Sequence, residues 1–233
     1  MGPIFQDRSA AGKFLAKKLL HHASDPSLVV LGLPRGGVPV AFEIARELNA
    51  PLDVFIVRKL GVPGCEELAM GAIASGGVRV LNEKIIQRLN IPASAVSAVT
   101  QEEEQEVARC EKAFRGSREP VPVENRTIIL VDDGLATGAT MRAAARALRL
   151  QKPAHITVAV PIGSRDTCEQ FHEEVDEVIC GETPEPFFAV GTWYANFLPT
   201  TDEEVQELLD HAAHERRIRR VGEQQKKEKA PAT

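Results

Sequence analysis

Residues 127–150 read TIILVDDGLATGATMRAAARALRL. A run of branched residues, Thr127–Val131, stops at two adjacent carboxylates, Asp132 and Asp133. A loop of glycine, alanine and threonine follows, then an alanine- and leucine-rich stretch that reads as a helix over 138–150. The run Ile128–Val131 is apolar without alternation, which fits a strand covered on both faces of a parallel sheet. Two ionised carboxylates side by side repel each other and are not chosen for stability. They are acceptor-only groups and suit donors such as sugar hydroxyls. Gly134 and Gly138 allow tight turns, and free amides at a helix start, with the hydroxyls of Thr137 and Thr140, make a cradle for a phosphate. Carboxylates for a diol beside a phosphate cradle describe a site for a phosphorylated ribose. No lysine follows the second glycine as a Walker loop requires, and the stretch is no GxGxxG fingerprint.

Working outward, the same alternation recurs. SLVVLGLP (27–34) reads as a buried strand, GVPVAFEIARELN (37–49) as a helix and LDVFIVRKL (52–60) as the next strand, a βαβ unit. HITVAVPIG is a strand, SRDTCEQFHEE a helix and DEVICG a strand. Residues 8–22 read as an opening helix capped by Asp7. Thr201 caps a final helix, with Glu204 placed for a capping box. The pattern predicts an α/β fold, a doubly wound and mainly parallel sheet, in which ligands bind beyond the carboxyl ends of the strands. Residues 1–215 are expected to form one domain, and the polar end, 216–233, a disordered tail.

Two stretches depart from the alternation. Residues 60–81 carry Gly61, Gly64, Gly71, Gly76 and Gly77 and read as a mobile loop leading into a small hairpin. Residues 82–120 read as a helical insertion, a hood or an oligomer surface, built of two helices with the second long. On the second, Val96, Val99, Val107, Cys110 and Phe114 share an apolar stripe, interrupted by Glu103. Arg142, Arg146 and Arg149 share one face of helix 138–150 and read as solvated.

The composition is that of an ordinary globular chain, 43% hydrophobic and 26% charged over 233 residues, with net charge −5. That charge disfavours a nucleic-acid partner. The longest apolar runs are too short for a membrane span, and MGPIFQDRSA has no signal-peptide core, so a cytoplasmic location is expected. Cys65, Cys110, Cys168 and Cys180 lie far apart with no CxxC and read as free thiols. The pair His21 and His22 has no metal-site spacing.

The stretch VDDGLATGAT resembles the signature of the type I phosphoribosyltransferases, most closely the version in adenine phosphoribosyltransferases. The resemblance covers roughly residues 1–212. It implies that Asp132 and Asp133 hold the ribose hydroxyls of phosphoribosyl pyrophosphate (PRPP), with Asp133 also catalytic. It implies a 5-phosphate loop of Gly134, Leu135, Ala136, Thr137, Gly138, Ala139 and Thr140. In GLPRGGVP (32–39), Arg35, Gly36 and Gly37 match the family's pyrophosphate loop, where arginine offers a rigid donor fork and glycine lets the backbone approach. Arg58 and Lys59 in VRKLG stand where the family places a further basic residue for pyrophosphate. Residues 60–75 stand where it has a flexible catalytic loop, with Glu66 and Glu67 positioned for proton transfer. PEPFFAVGTWYANF (184–197) is similar to the purine-salvage branch, which makes Phe188 the base-stacking residue and Trp193 and Tyr194 secondary candidates. Hypoxanthine–guanine enzymes carry an acidic residue shortly after that glycine; here Thr192, Trp193, Tyr194 and Ala195 stand instead, which leaves the base open.

The expected activity is therefore transfer of a phosphoribosyl group from PRPP to a nitrogenous, purine-like base, with Arg35, Lys59, Glu67 and Asp133 as catalytic groups. Mg²⁺ is the expected cofactor, held mainly through PRPP with Asp132 as the protein ligand, and a homodimer the expected assembly. The alternative is a PRPP- or nucleotide-binding regulator on the same fold without turnover.

Overall fold

The computed structural model describes residues 2–228. Helix α1 (Arg8–Lys18) is capped by Asp7, whose carboxylate accepts from the Ala10 amide at 2.8 Å. A tight helical turn, Leu20–His22, leads to β1 (Val29–Gly32), α2 (Gly37–Glu47) and β2 (Leu52–Val54). After the segment 57–115 the large sheet resumes with β6 (Thr127–Val131), α5 (Ala139–Leu150), β7 (His155–Ile162), α6 (Arg165–Phe171) and β8 (Glu177–Glu182). These five strands are parallel in the order β2-β1-β6-β7-β8.

The unbroken apolar strands are explained by burial on both faces. Val29, Leu31, Ile128, Leu130, Ile156 and Val158 point to the face covered by α5 and α6, against Met141, Leu148 and Phe171. Val30, Ile129, Val131 and Ala159 point to the other face, against Leu15, Leu19, Val40 and Ile44 of α1 and α2. Burying a side chain of this size is worth about 1.5–3 kcal/mol. From β1 the chain steps to one side, to β2; from β6 it steps to the other, to β7 and β8. The point of reversal lies between β1 and β6.

The span expected as one strand, 52–60, is split. Its first part stays in the large sheet as β2. The chain then leaves, and β3 (Val57–Val62), β4 (Cys65–Ala74) and β5 (Val78–Leu81) form a separate antiparallel sheet. The 60–75 segment, expected as a mobile loop, is thus mostly paired strand. Its glycines mark turns: Gly64, Gly76 and Gly77 adopt φ of 78°, 81° and 71°. On the strands themselves, Leu60, Val62, Met70 and Ile73 are buried against the helices that follow.

Those helices are α3 (Glu83–Arg88) and α4 (Ala93–Arg115), the two anticipated over 82–115. Val96, Val107 and Phe114 of α4 are buried with Val205 and Leu209 of the last helix, α7 (Asp202–Glu228). Glu103, the acidic break in that stripe, receives Arg58 Nε of β3 at 2.7 Å. At the far end of α4 the buried Arg115 donates from Nε to Asp53 Oδ1 at 2.8 Å and from Nη2 to the Val54 carbonyl at 2.9 Å, tying α4 to β2.

Two further readings are corrected. Cys168 and Cys180 form a disulfide, leaving Cys65 and Cys110 free. Helix α6 packs back on β8 and brings the two α-carbons to 6.4 Å, a juxtaposition that sequence spacing does not reveal. Helix α7 continues to Glu228, past the expected start of the tail at 216, because the segment is rich in the helix formers Arg, Glu, Gln and Lys. The end of that expected tail, 229–233, lies outside the described residues. The arginine face of α5 lies at the surface, as read from the sequence, and is ion-paired there: Arg142 and Arg146 share Glu174, and Arg149 Nη2 lies 2.9 Å from Asp176. Among the described residues no helix is long and apolar enough to cross a membrane.

Candidate active site

The reversal between β1 and β6 puts two loops side by side, which is where open α/β sheets bind ligands. After β1 comes Leu33–Gly36, with a cis Pro34–Arg35 peptide; after β6 come Asp132 and Asp133. The Leu33 amide donates to the Val131 carbonyl at 2.8 Å, which locks the loops together. The glycines that follow are required by this contact. A β-carbon on Gly36 would stand 2.8 Å from Asp133 Cγ and closer still to its Oδ2. On Gly37 it would meet the Val131 carbonyl at 2.6 Å and Asp132 Cα at 2.9 Å. The structure therefore brings together Gly36, Gly37, Asp132 and Asp133, four residues singled out from two separate motifs.

Asp133 is held from three directions. Arg8 Nε donates to Asp133 Oδ2 at 2.8 Å, its amide donates to Asp132 Oδ1 at 2.9 Å, and Tyr194 Oη donates to its carbonyl at 2.6 Å. Arg8 is fixed in turn by the Leu198 carbonyl at 2.7 Å and lies 4.0 Å over the Phe197 ring. Burial, reinforced by the charge of Asp133, raises the Asp132 carboxyl well above the ordinary carboxylate range. Burial also raises Asp133, with Arg8 opposing the shift. Burial pushes the Tyr194 hydroxyl up, with Asp133 adding to it, so the phenol stays a donor. Two carboxylates with one neighbouring cation make a site short of positive charge, which a cation or a set of hydroxyl donors would relieve.

Arg8 was not singled out from the sequence. One signal was available: it opens α1, where a cation runs against the helix dipole and needs another reason to be there.

The loop after Asp133 has two different halves. Leu135 is structural, since its side chain is buried and its amide and carbonyl bond to the Ile162 carbonyl at 2.9 Å and the Ser164 amide at 2.8 Å. That removes Leu135 from the set of free amides expected to hold a phosphate. Gly134 packs where a β-carbon would lie 2.7 Å from Val190. Ala136, Thr137, Ala139 and Thr140 are exposed, and Gly138 caps α5 at φ 73°. The first-turn amides of α5 therefore open toward this exposed rim, the geometry of an anion cradle. Thr167 Oγ1 donates to the Ala136 carbonyl at 2.7 Å and steadies the loop from α6.

The remaining basic candidates sit apart from this junction in their pairing. Arg35 is exposed, with Nη1 3.3 Å from Asp202 at the start of α7. Arg58 is paired with Glu103. Lys59 Nζ lies 3.3 Å from the Glu67 carbonyl and 3.7 Å from its carboxylate, which is itself fully exposed on β4. Glu66 accepts from the Gly64 amide at 3.1 Å in the hairpin turn. Arg58, Lys59, Glu66 and Glu103 line a cavity of about 610 Å³ between that hairpin and α4.

The aromatic segment divides likewise. Phe188 is 80% exposed, so its ring has a free face. Trp193, anticipated as a second stacking surface, is buried in a cluster with Phe5, Ala11 and Ile162, its centroid 6.4 Å from that of Phe187. Without a free face it supports the segment from inside. Tyr194 is likewise buried and serves Asp133.

Comparison with known proteins follows the same lines. Residues 64–194, just over half of the chain, match the family model described as the phosphoribosyl transferase domain. Rv0571c of Mycobacterium tuberculosis H37Rv, provisionally named a phosphoribosyl transferase, is 48% identical over 209 residues, 90% of this chain and 47% of the relative. The chain thus spans about half the length of the curated relatives it matches. The crystal structure of TT1426 from Thermus thermophilus superposes with a TM-score of 0.78 at 38% identity, covering 90% of this chain and 98% of that one.

Proposed function

The chain belongs to the phosphoribosyl transferase family, and on that premise we propose that it binds PRPP and transfers the 5-phosphoribosyl group to a ring nitrogen of a purine-like base, releasing pyrophosphate. The observation that carries this reading is the contact of Gly36 and Gly37 with Asp132 and Asp133 at the reversal of strand order. It sets a diol-accepting carboxylate pair between a loop bearing an arginine fork and a helix N-terminus suited to a phosphate.

In this reading Asp132 and Asp133 accept from the two ribose hydroxyls, and the loop 136–140, exposed at Ala136, Thr137, Ala139 and Thr140, receives the 5-phosphate. The bond from C1 of the ribose to pyrophosphate oxygen breaks with its electron pair leaving on pyrophosphate. The bond from C1 to the base nitrogen forms, and the proton of that nitrogen passes to solvent or to Glu67. Arg35, exposed and paired with Asp202 at the start of α7, can turn onto the leaving group. Lys59 and Arg58 would join it if the β3–β4 hairpin moves onto the site, exchanging Glu67 and Glu103 for pyrophosphate. The hard carboxylate oxygens suit Mg²⁺, held mainly through PRPP with Asp132 as the protein ligand, where it supplies charge neutralisation for pyrophosphate.

The direct test is pyrophosphate release from PRPP and Mg²⁺ with a panel of purine, pyrimidine and pyridine bases. Base-dependent release is expected. Tight PRPP binding without release would instead make the protein a regulator, and neither binding nor release would remove PRPP from consideration. Within the assay, Phe188→Ala should raise KM for the base at least about fivefold, the low end of what one stacked base contributes, and leave KM for PRPP unchanged. Equal effects on both constants would remove Phe188 from the base site.

A further inference from the structure

A second cluster lies at the opposite end of the large sheet. Asp132 and Asp133 follow the carboxyl end of β6. Glu177 opens β8 and faces His21 and His22, on the helical turn after α1. His21 Nε2 is 2.9 Å from Glu177 Oε1, and His22 Nε2 is 2.8 Å from Oε2. One ligand atom from each of the three residues lies within 4.8 Å of the others.

We propose that His21, His22 and Glu177 form a binding site for a d-block divalent cation of the zinc type, separate from the nucleotide site. Four features of the geometry support it. First, the two imidazoles lie side by side, tilted by 40° with centroids 4.2 Å apart. Both present a ring nitrogen to the same carboxylate, so one ion placed among them can be reached by all three side chains. Second, Glu177 is already oriented by a further donor, Thr157 Oγ1 at 2.8 Å from Oε2; Thr157 is fully buried on β7, the arrangement that fixes a metal-binding carboxylate. Third, the side chain of His21 is 51% exposed and that of His22 11% exposed, so the cluster is anchored on one side and open to water on the other. Three protein ligands and a solvent molecule complete a tetrahedron. Fourth, two imidazoles and one carboxylate select zinc, cobalt or nickel over Mg²⁺ and Ca²⁺, which take oxygen ligands.

Binding requires the metal-facing nitrogen of each ring to be unprotonated. The bound ion would clip the turn after α1 to the outermost strand of the sheet. Glu177 stands 155 positions from His22, which is why no motif announces the cluster.

The test uses the untagged full chain after chelator treatment. Calorimetry with zinc should give one site with Kd below about 10 μM. Saturating zinc should raise Tm by about 5 °C or more. Cobalt in place of zinc should show the intense visible bands of a four-coordinate site. Glu177→Gln and His21→Ala should each weaken binding at least tenfold, and His21, half exposed, can be replaced without disturbing the fold. Circular dichroism of each variant confirms that it is folded. The proposal is overturned by no zinc binding in this range, or by zinc binding that survives both variants. Loss of binding in Cys65→Ser or Cys110→Ser with the histidine and glutamate variants unaffected would assign the metal to a thiol and overturn it as well.

Discussion

Asp132→Asn is expected to weaken PRPP binding by at least about tenfold while raising Tm. The first half follows from the proposed role, since a hydrogen bond to a charged acceptor is worth about 1.5–3 kcal/mol, or roughly 10- to 150-fold in affinity. The second half follows from the sign of the pKa shift. Burial and the charge of Asp133 raise the Asp132 carboxyl well above its unfolded value. Between the unfolded and folded values the native protein binds more protons than the unfolded chain, so stability falls as pH rises through that window. Above the unfolded value the raised carboxyl therefore costs stability, and a neutral amide of the same shape removes the cost. Asp133→Asn should weaken PRPP binding similarly but raise Tm less, because it strips Arg8 of its carboxylate partner. Thermal unfolding and calorimetric titration of the two variants measure both halves. Unchanged PRPP affinity in both would remove the diol role, and lower Tm with lower affinity in both would mean a purely structural pair.

The large sheet is legible because its strands announce themselves. Val29–Gly32 and Thr127–Val131 are continuous apolar runs, and each is followed by a stretch with helical spacing. The small sheet is not legible in the same way. Gly61 and Gly71 lower the strand signal of β3 and β4, and the burial that makes them strands comes from α4, some 30 residues further on. The split of 52–60 between two sheets is likewise tertiary: both halves have strand character, and only the packing of Ile56 and Leu60 against the helical hood separates them.

In the candidate site, the residues that carry the resemblance, Gly36, Gly37, Asp132 and Asp133, meet where the topology predicts. Their supports were not legible as such. Arg8 comes from 125 positions away, and Tyr194 reaches the Asp133 carbonyl from a segment chosen for its aromatic rings. Trp193 shows the reverse error. Its composition suggests a stacking surface, but whether a ring faces a ligand or the core depends on which side of the segment packs, and the neighbouring Phe188 took the open side. Cys168 and Cys180 were opaque because only the return of α6 onto β8 brings them together.

Asp53→Ala is expected to destabilise the fold by about 3–5 kcal/mol, the cost of leaving a buried charge without its partner. Asp53 Oδ1 accepts from Arg115 Nε and from the Val54 amide, both at 2.8 Å, and Oδ2 accepts from the Val121 amide at 2.9 Å. Both side chains are 7% exposed. The substitution therefore leaves a buried guanidinium with only Glu111 and the Val54 carbonyl, and it orphans amides on both sides of the hood connection. At about 2–4 °C per kcal/mol for a chain of this size, Tm should fall by about 6–20 °C. Arg115→Met should cost less, because Asp53 keeps two backbone donors. Combining Asp53→Ala with Arg115→Met should recover part of the loss but not all of it, since the amides of Val54 and Val121 stay unpaired. A double-mutant cycle by denaturant unfolding reads the coupling directly. Additive losses would show that the two side chains act independently and that α4 is held to β2 by apolar packing alone.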